Sequence, residues 1–309
     1  MSVSLVTFST PAFYYARHTL LMSAKKYRID HSHAYTMNDF SKTDFYLKYK
    51  NITDQKRGAG YWLWKPYYIL QHLNKLHEND ILIYCDSGLD IIDSLSPLIE
   101  LVRSQNSGIL LFENYQGSGY FNRTSGFKVN EENIYIEMNK CKYWTKRDAF
   151  ILMGADSSEY WDAAQTDACF QIYRKTETSL KFVREWLAYC CNEQILTDTP
   201  NLSGKENFDN FFGHIHDQTI VSLLAKKYQL DLFRCPSQFG NHFKLPKYRI
   251  DNEFKMLPYC SYPKQNSKYG QILNHHRIRF SAYYFRWRYF LGQEKQIAIG
   301  WFSRLFLNV

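Results

Sequence analysis

Apolar and polar positions along the chain fall into short β-rich runs that alternate with helical stretches. Ser4 to Ser9 is such a run, closed by Thr10-Pro11, and Phe13 to Tyr27 has helical composition ending in Lys25-Lys26. Strand followed by helix opens an α/β fold. His33 to Met37 reads as a second strand turned by Asn38-Asp39, whereas Lys42 to Asp54 is polar and aromatic without a period. Pro66 suits the first turn of a helix running to about Leu76. Ile81 to Tyr84 is an unbroken apolar run, as expected of a central strand covered on both faces. A helix through Arg103 follows, with Pro97 at its start and Ser94 or Ser96 as its cap. Gly108 to Glu113 is the next strand, and 114–128, rich in Gly, Ser and Asn, reads as a long exposed loop with the character of a lid. Ala168 to Arg174 is another strand, and Thr176 to Cys191 an amphipathic helix with Leu180, Val183, Leu187 and Cys190 on one face. His216 to Lys227 is helical, and Asp231 to Cys235 a short last strand. From Pro236 the texture changes to Pro, Lys, Tyr and Asn. The expected architecture is α/β, with 1–240 as the main domain and 241–309 as an extension packed on it.

The chain is organised around Asp80 to Asp93, DILIYCDSGLDIID, where the apolar run ends on Asp86, Ser87 and Gly88. In open α/β sheets ligands collect at the carboxyl ends of the strands, so Asp86 is a site candidate. The same three residues also suit a plain turn, Asp accepting backbone hydrogen bonds and Gly supplying positive φ. Upstream, Arg57-Gly58-Ala59-Gly60 leads into Trp62, Trp64 and Lys65. A helix start with Lys65 beside its amides favours an anion, and an ordinary loop-to-helix junction with both tryptophans in the core is the alternative.

Composition narrows the class. With 309 residues, 45% hydrophobic and 17% aromatic, the chain is folded and large enough for a substantial core. Its 25 Tyr and 22 Phe build cores and also serve as platforms for sugar or base rings. A net charge of +8 points to an anionic partner: a nucleotide diphosphate, a membrane surface or nucleic acid. Dispersed basic residues without any nucleic-acid-binding spacing argue against the last. Seven cysteines without CxxC spacing fit reduced thiols, hence a cytoplasmic setting. MSVSLVTFSTP lacks the features of a signal peptide, and no window has about 18 uninterrupted apolar residues.

Five segments in order, GAGYWLWKPYYIL, DILIYCDSG, WTKRDAFILMG, FVREWLAYC and HDQTIVSLLAKKY, resemble a family of bacterial and viral glycosyltransferases with a GT-A fold, found among capsule, O-antigen and surface-glycan genes. The resemblance spans roughly 1–240. It implies a GT-A, Rossmann-like mixed sheet flanked by helices, a nucleotide-sugar donor with UDP linkage and a galactose-type sugar, and transfer of a hexose to a glycan or lipid-linked acceptor. Asp86 takes the place of the acid in the family's DxD-type motif, which holds Mn²⁺ or Mg²⁺ on the donor diphosphate; here Gly88 replaces the second carboxylate. A late histidine completes the metal site in many such enzymes, which implies His275 or His276, with Arg277 on the phosphates and His242 as the rival. Thr7 and Phe8 correspond to the first-strand end near the base, and Trp62, Trp64 and Lys65 to the helix over the nucleotide. Ser87 and Gly88 join Asp86 at the donor. Asp217 and Gln218 lie beneath the sugar; the DQ pair is similar to that of several retaining galactosyltransferases, so retention is favoured over inversion with Asp217 as base. The resemblance leaves Arg147, Gln165 and Asp167 facing sugar or acceptor. Residues 277–309, with five arginines, Trp287 and Trp301, suit peripheral contact with the inner face of an anionic membrane, or packing on the domain. A nucleic-acid-binding protein and a glycan-binding relative without transfer are the alternative readings.

Overall fold

The computed structural model describes residues 1–114, 139–209, 211–237, 240 and 266–276. Most of the expected lid, His242, Arg277 and the segment 277–309, for which membrane contact was one expectation, lie outside the described residues. Six strands form one sheet: β1 (Val3–Ser9), β2 (His31–Thr36), β3 (Ile81–Cys85), β5 (Ile109–Glu113), β6 (Thr166–Arg174) and β7 (Leu232–Phe233), in the order β2-β1-β3-β6-β5-β7. A second, two-stranded sheet joins β4 (Leu89–Ile91) to β8 (Leu273–His275). β1 pairs parallel with β2 and β3, and β5 with β7, while β6 runs antiparallel to β3 and β5. The mixed α/β class expected from the sequence is the one the chain adopts.

Alternation sorts each strand's side chains between two cores. Val6, Phe8, Leu82, Tyr84 and Leu111 face α2 (Trp64–Lys75), α4 (Glu177–Cys190) and α5 (His216–Lys227). Leu5, Ile81, Ile83, Leu110 and Phe112 face α1 (Tyr14–Lys26) and α3 (Ser96–Ser104). This explains the continuous apolar run of β3: both faces are covered, and all five residues are buried. α4 starts on a capping box, with Thr176 accepting from the Ser179 amide and Ser179 from that of Thr176. At α3 the expected serine acts from one residue before the cap position, Ser94 Oγ accepting from the Ser96 amide at 3.2 Å. Leu95 stands at the cap position, Ser96 opens the helix, and Ser94 Oγ turns to Ser96 Oγ at 3.0 Å. The unassigned 42–54 stretch forms two short helices, Asp44–Lys48 and Lys50–Thr53.

The extension is part of this architecture at 266–276. Tyr269, Ile272 and Leu273 are buried with Leu89, Ile91 and Leu95. The fully buried Arg234 fastens them, donating to the carbonyls of Gly240 at 3.1 Å, Ser267 at 2.9 Å and Tyr269. Pro236 O accepts from the amides of Ile272 and Leu273, at 2.7 and 3.0 Å. Neither β4 nor β8 announces itself in the sequence, because three residues are too few to carry a period.

Candidate active site

The carboxyl ends of β1, β2, β3, β5 and β7 gather along one edge of the sheet, with the start of β6 among them. Asp86 sits there, immediately beyond β3. Its amide donates to Cys169 O at 2.7 Å, and the hydroxyl of buried Tyr84, two residues back on the same face, donates to Oδ1. Its side chain is half-buried. Beneath it lies the Lys65 ammonium, 3.9 Å from Asp86 Oδ1, 2.7 Å from Asp217 Oδ2 and 3.2 Å from the carbonyl of Ala168. Lys65 and Asp217 are almost wholly removed from solvent. Three candidates from separate segments therefore form one cluster: a cation flanked by one buried and one half-buried carboxylate.

Burial sets the electrostatics of this pair. It pushes the Asp217 carboxyl up to about 6, against the pull of Lys65. For Lys65 burial acts to lower the pKa, but Asp217 and then Asp86 more than offset it, and the ammonium is held above the ordinary lysine range. Above pH 6 the pair is ionised.

Local backbone explains how both partners reach the same point. The residues before α2 wind through left-handed conformations at Gly58, Ala59, Gly60, Tyr61 and Trp62 (φ 57°, 54°, 88°, 51° and 59°). This tight knot uses the amides that were expected to greet an anion. Leu63 N donates to Gly60 O at 3.0 Å and Lys65 N to Trp62 O at 2.9 Å, and Pro66 has no N–H. The Lys65 side chain, not a row of amides, supplies the positive charge. On the other side, His216 opens α5 at φ 53°, and Asp217 is the second helical residue rather than the cap.

The remaining candidates divide by location. Phe8 stacks on Trp64 with centroids 4.0 Å apart, and Thr7 is buried in β1 beside them. Trp62 is half-buried and lies parallel to His216, centroids 5.5 Å apart. Ser87 and Gly88 form the turn after Asp86, where Gly88 O accepts from His276 N at 2.9 Å and Leu89 pairs with His275. Gln218 is half-buried, its amide bonded to Ile215 O at 3.1 Å. Gln165 and Asp167 are buried; burial pushes the Asp167 carboxyl up, and its Oδ1 accepts from the Cys169 amide at 2.8 Å. Arg147 pairs with Asp156 Oδ1 at 3.0 Å and lies over the rings of Trp161 and Phe208, holding the fold around the Arg147–Leu152 helix.

The expected metal ligands do not fit a cation site. Among the described residues no three His, Cys, Asp or Glu side chains come together as one. Asp86 faces Tyr84 and Lys65, whereas His276 Nε2 lies 3.5 Å from Asp90 Oδ2. The extension does bring His275 and His276 to the turn that follows Asp86, but His275 pairs with Leu89 of β4 and His276 donates its amide to Gly88 O. Residues that sequence reasoning passed over are Tyr84, hidden as one more apolar-run member, and Asp198, whose surroundings carry no local signal.

No family model and no curated protein matches the chain. Solved structures to which the chain is similar include an active-site mutant of the galactosyltransferase LgtC, at 9% identity over 89% of this chain and 87% of that one, TM-score 0.41. The bifunctional glycosyltransferase WbbM is similar at 9% identity over 89% of this chain and 46% of its own, TM-score 0.46. Mouse xyloside xylosyltransferase 1 is similar at 9% identity over 90% of this chain and 98% of its own, TM-score 0.43. Likeness at this level carries nothing about this chain's chemistry.

Proposed function

We propose that the protein is a GT-A-type glycosyltransferase that moves a hexose from a nucleotide-diphosphate sugar, UDP-linked and galactose-type, to a glycan or lipid-linked hydroxyl with retention. The observation that carries this reading is the buried Lys65–Asp217 pair beneath Asp86 at the carboxyl edge of the sheet. The five-segment resemblance supports the same reading. In the reaction the bond from the anomeric carbon to the diphosphate oxygen breaks, the acceptor oxygen bonds to that carbon, and the acceptor proton leaves with the diphosphate. Lys65 pairs with both carboxylates and places positive charge under the diphosphate. The ionised Asp217 and the Gln218 amide lie where positive charge develops on the sugar ring. The same reading assigns Thr7 and Phe8 to the side of the base and Trp62 and Trp64 to the helix over the nucleotide. No step here runs through a cation; Mn²⁺ or Mg²⁺ enters as an arm of the test.

The test is thermal stability against a panel of nucleotide sugars, with Mn²⁺ or with EDTA, for wild type and Asp86→Ala. A donor-selective rise of several degrees that Asp86→Ala removes is expected. A rise abolished by EDTA would assign a metal to the donor diphosphate, and a rise that ignores EDTA would leave the charge to Lys65. No response to any donor would overturn the transferase reading.

A further inference from the structure

Each half of the Lys65–Asp217 pair follows backbone in the left-handed region, at 58–62 before Lys65 and at His216 before Asp217, where non-glycine residues are rare, and the two strained pieces touch. Trp62 lies parallel to the His216 imidazole, and Tyr61 meets the same ring edge-on with centroids 4.8 Å apart. Gly58 lies so close under Trp62 that a Cβ there would stand 2.3 Å from the indole. Trp62 is thereby wedged between Gly58 and His216, and Lys65 hangs from the Trp62 carbonyl three residues on. A strained conformation persists only where its surroundings over-determine it.

One residue outside the cluster reaches both the knot and the neighbourhood of His216. Asp198 Oδ2 accepts from the Tyr61 hydroxyl at 3.1 Å and lies 3.2 Å from Arg57 Nη1, while Oδ1 faces His216 Nε2 at 3.9 Å. The imidazole is held from its other side, where Nδ1 lies 2.9 Å from the carbonyl of Leu196, two residues before Asp198. Burial lowers the His216 pKa to about 4, so the ring is neutral and Nδ1–H donates to that carbonyl. Short contacts thus run from the segment 195–198 to the knot before α2 on one side and to the first residue of α5 on the other.

We infer that Asp198 is a positioning residue: its carboxylate ties the 57–62 knot to the segment 195–198, whose Leu196 carbonyl holds His216, and so fixes where Lys65 meets Asp217. Its part in turnover rests on the transferase reading; its part in coupling the two segments does not. The experiment is hydrogen exchange of peptides covering 57–63 and 214–220, compared between wild type, Asp198→Asn and Asp198→Ala. In Asp198→Ala both segments are expected to exchange about ten-fold faster and together, with the strands of the main sheet unchanged. Asp198→Asn, which keeps an acceptor for Tyr61, restores most of the protection. Tyr61→Phe removes only the hydroxyl and gives a smaller change in the same two segments, should Asp198→Ala fold poorly. Loosening of one segment alone, or of neither, would overturn the inference. With a turned-over nucleotide sugar, Asp198→Ala is expected to lower kcat about ten-fold or more with donor KM little changed; the reverse split would make Asp198 a donor contact instead. If wild type turns over no nucleotide sugar, the transferase reading fails and the exchange result decides the positioning role.

Discussion

Lys65 Nζ lies 2.7 Å from Asp217 Oδ2, and both side chains are buried. Removing one partner of such a pair strands the other charge in a medium that solvates it poorly. Lys65→Met is therefore expected to destabilise the protein by about 3–5 kcal/mol, and adding Asp217→Leu to recover most of that loss. Urea unfolding of the two variants checks it; equal losses in single and double variants would mean that the pair does not act as a unit.

The raised carboxyl of Asp217 has a definite pH signature. Its pKa goes from 3.8 to about 6 on folding. Between those values the native state holds a proton that the unfolded chain has lost, so this contribution to stability is present below about pH 4 and disappears as the pH rises to about 6. The stability difference, wild type minus Asp217→Asn, should fall by on the order of 3 kcal/mol over that interval. A flat difference would mean that Asp217 stays ionised throughout.

Histidine gives the opposite slope. His72, bonded to the Tyr35 hydroxyl at 2.8 Å, has its pKa lowered from 6.5 to about 4, first by burial and then by His33 and Lys75. Its neutral form is favoured in the native state, so the stability tied to it is present above about pH 6.5 and lost as the pH falls to about 4. His72→Gln should reduce the acid sensitivity by on the order of 2 kcal/mol, measured by denaturant unfolding at pH 4.5 and 7.

The knot before α2 depends on glycine at one point above all. Gly60 has φ +88°, and a Cβ there would lie 2.8 Å from Thr53 Cα. Gly60→Ala is expected to cost about 1–3 kcal/mol or more and to weaken nucleotide-sugar binding, because the knot sets the start of α2 and hence Lys65. Undiminished stability and binding would show that the knot relaxes freely.

Arg234 offers a test of how the extension is held. Arg234→Ala strips donors from the carbonyls of Gly240, Ser267 and Tyr269, and buried acceptors left bare cost about 1–3 kcal/mol each. Limited proteolysis should then cut near 266–276 well before wild type is cut there. An unchanged cleavage pattern would mean that Tyr269, Ile272 and Leu273 hold the segment by packing alone.

Much of the fold was legible in the sequence. The strands around Leu5, Ile83, Leu110 and Ile172 and the helix from His216 to Lys227 follow from periodicity, because alternation and the 3.6-residue repeat are local properties. Asp86 was legible as the acid at the end of an apolar strand and Lys65 as a cation at a helix start, whereas Asp217 came from the family resemblance. The strands β4 and β8 were not legible, since three residues carry no period, and neither was Asp198, whose partners Arg57 and Tyr61 are distant in the chain.

By itself the sequence determined the alternation of strands and helices, the two-sided burial of Ile81 to Cys85 and the emergence of Asp86 at its end. Tertiary structure alone decided that Lys65 meets Asp217 instead of solvent, and that His276 faces Asp90 instead of joining Asp86. The reason is geometric. Periodicity assigns a face to each residue, but strand order and the packing of helices on the sheet determine which faces meet, and those depend on contacts between segments far apart in the chain.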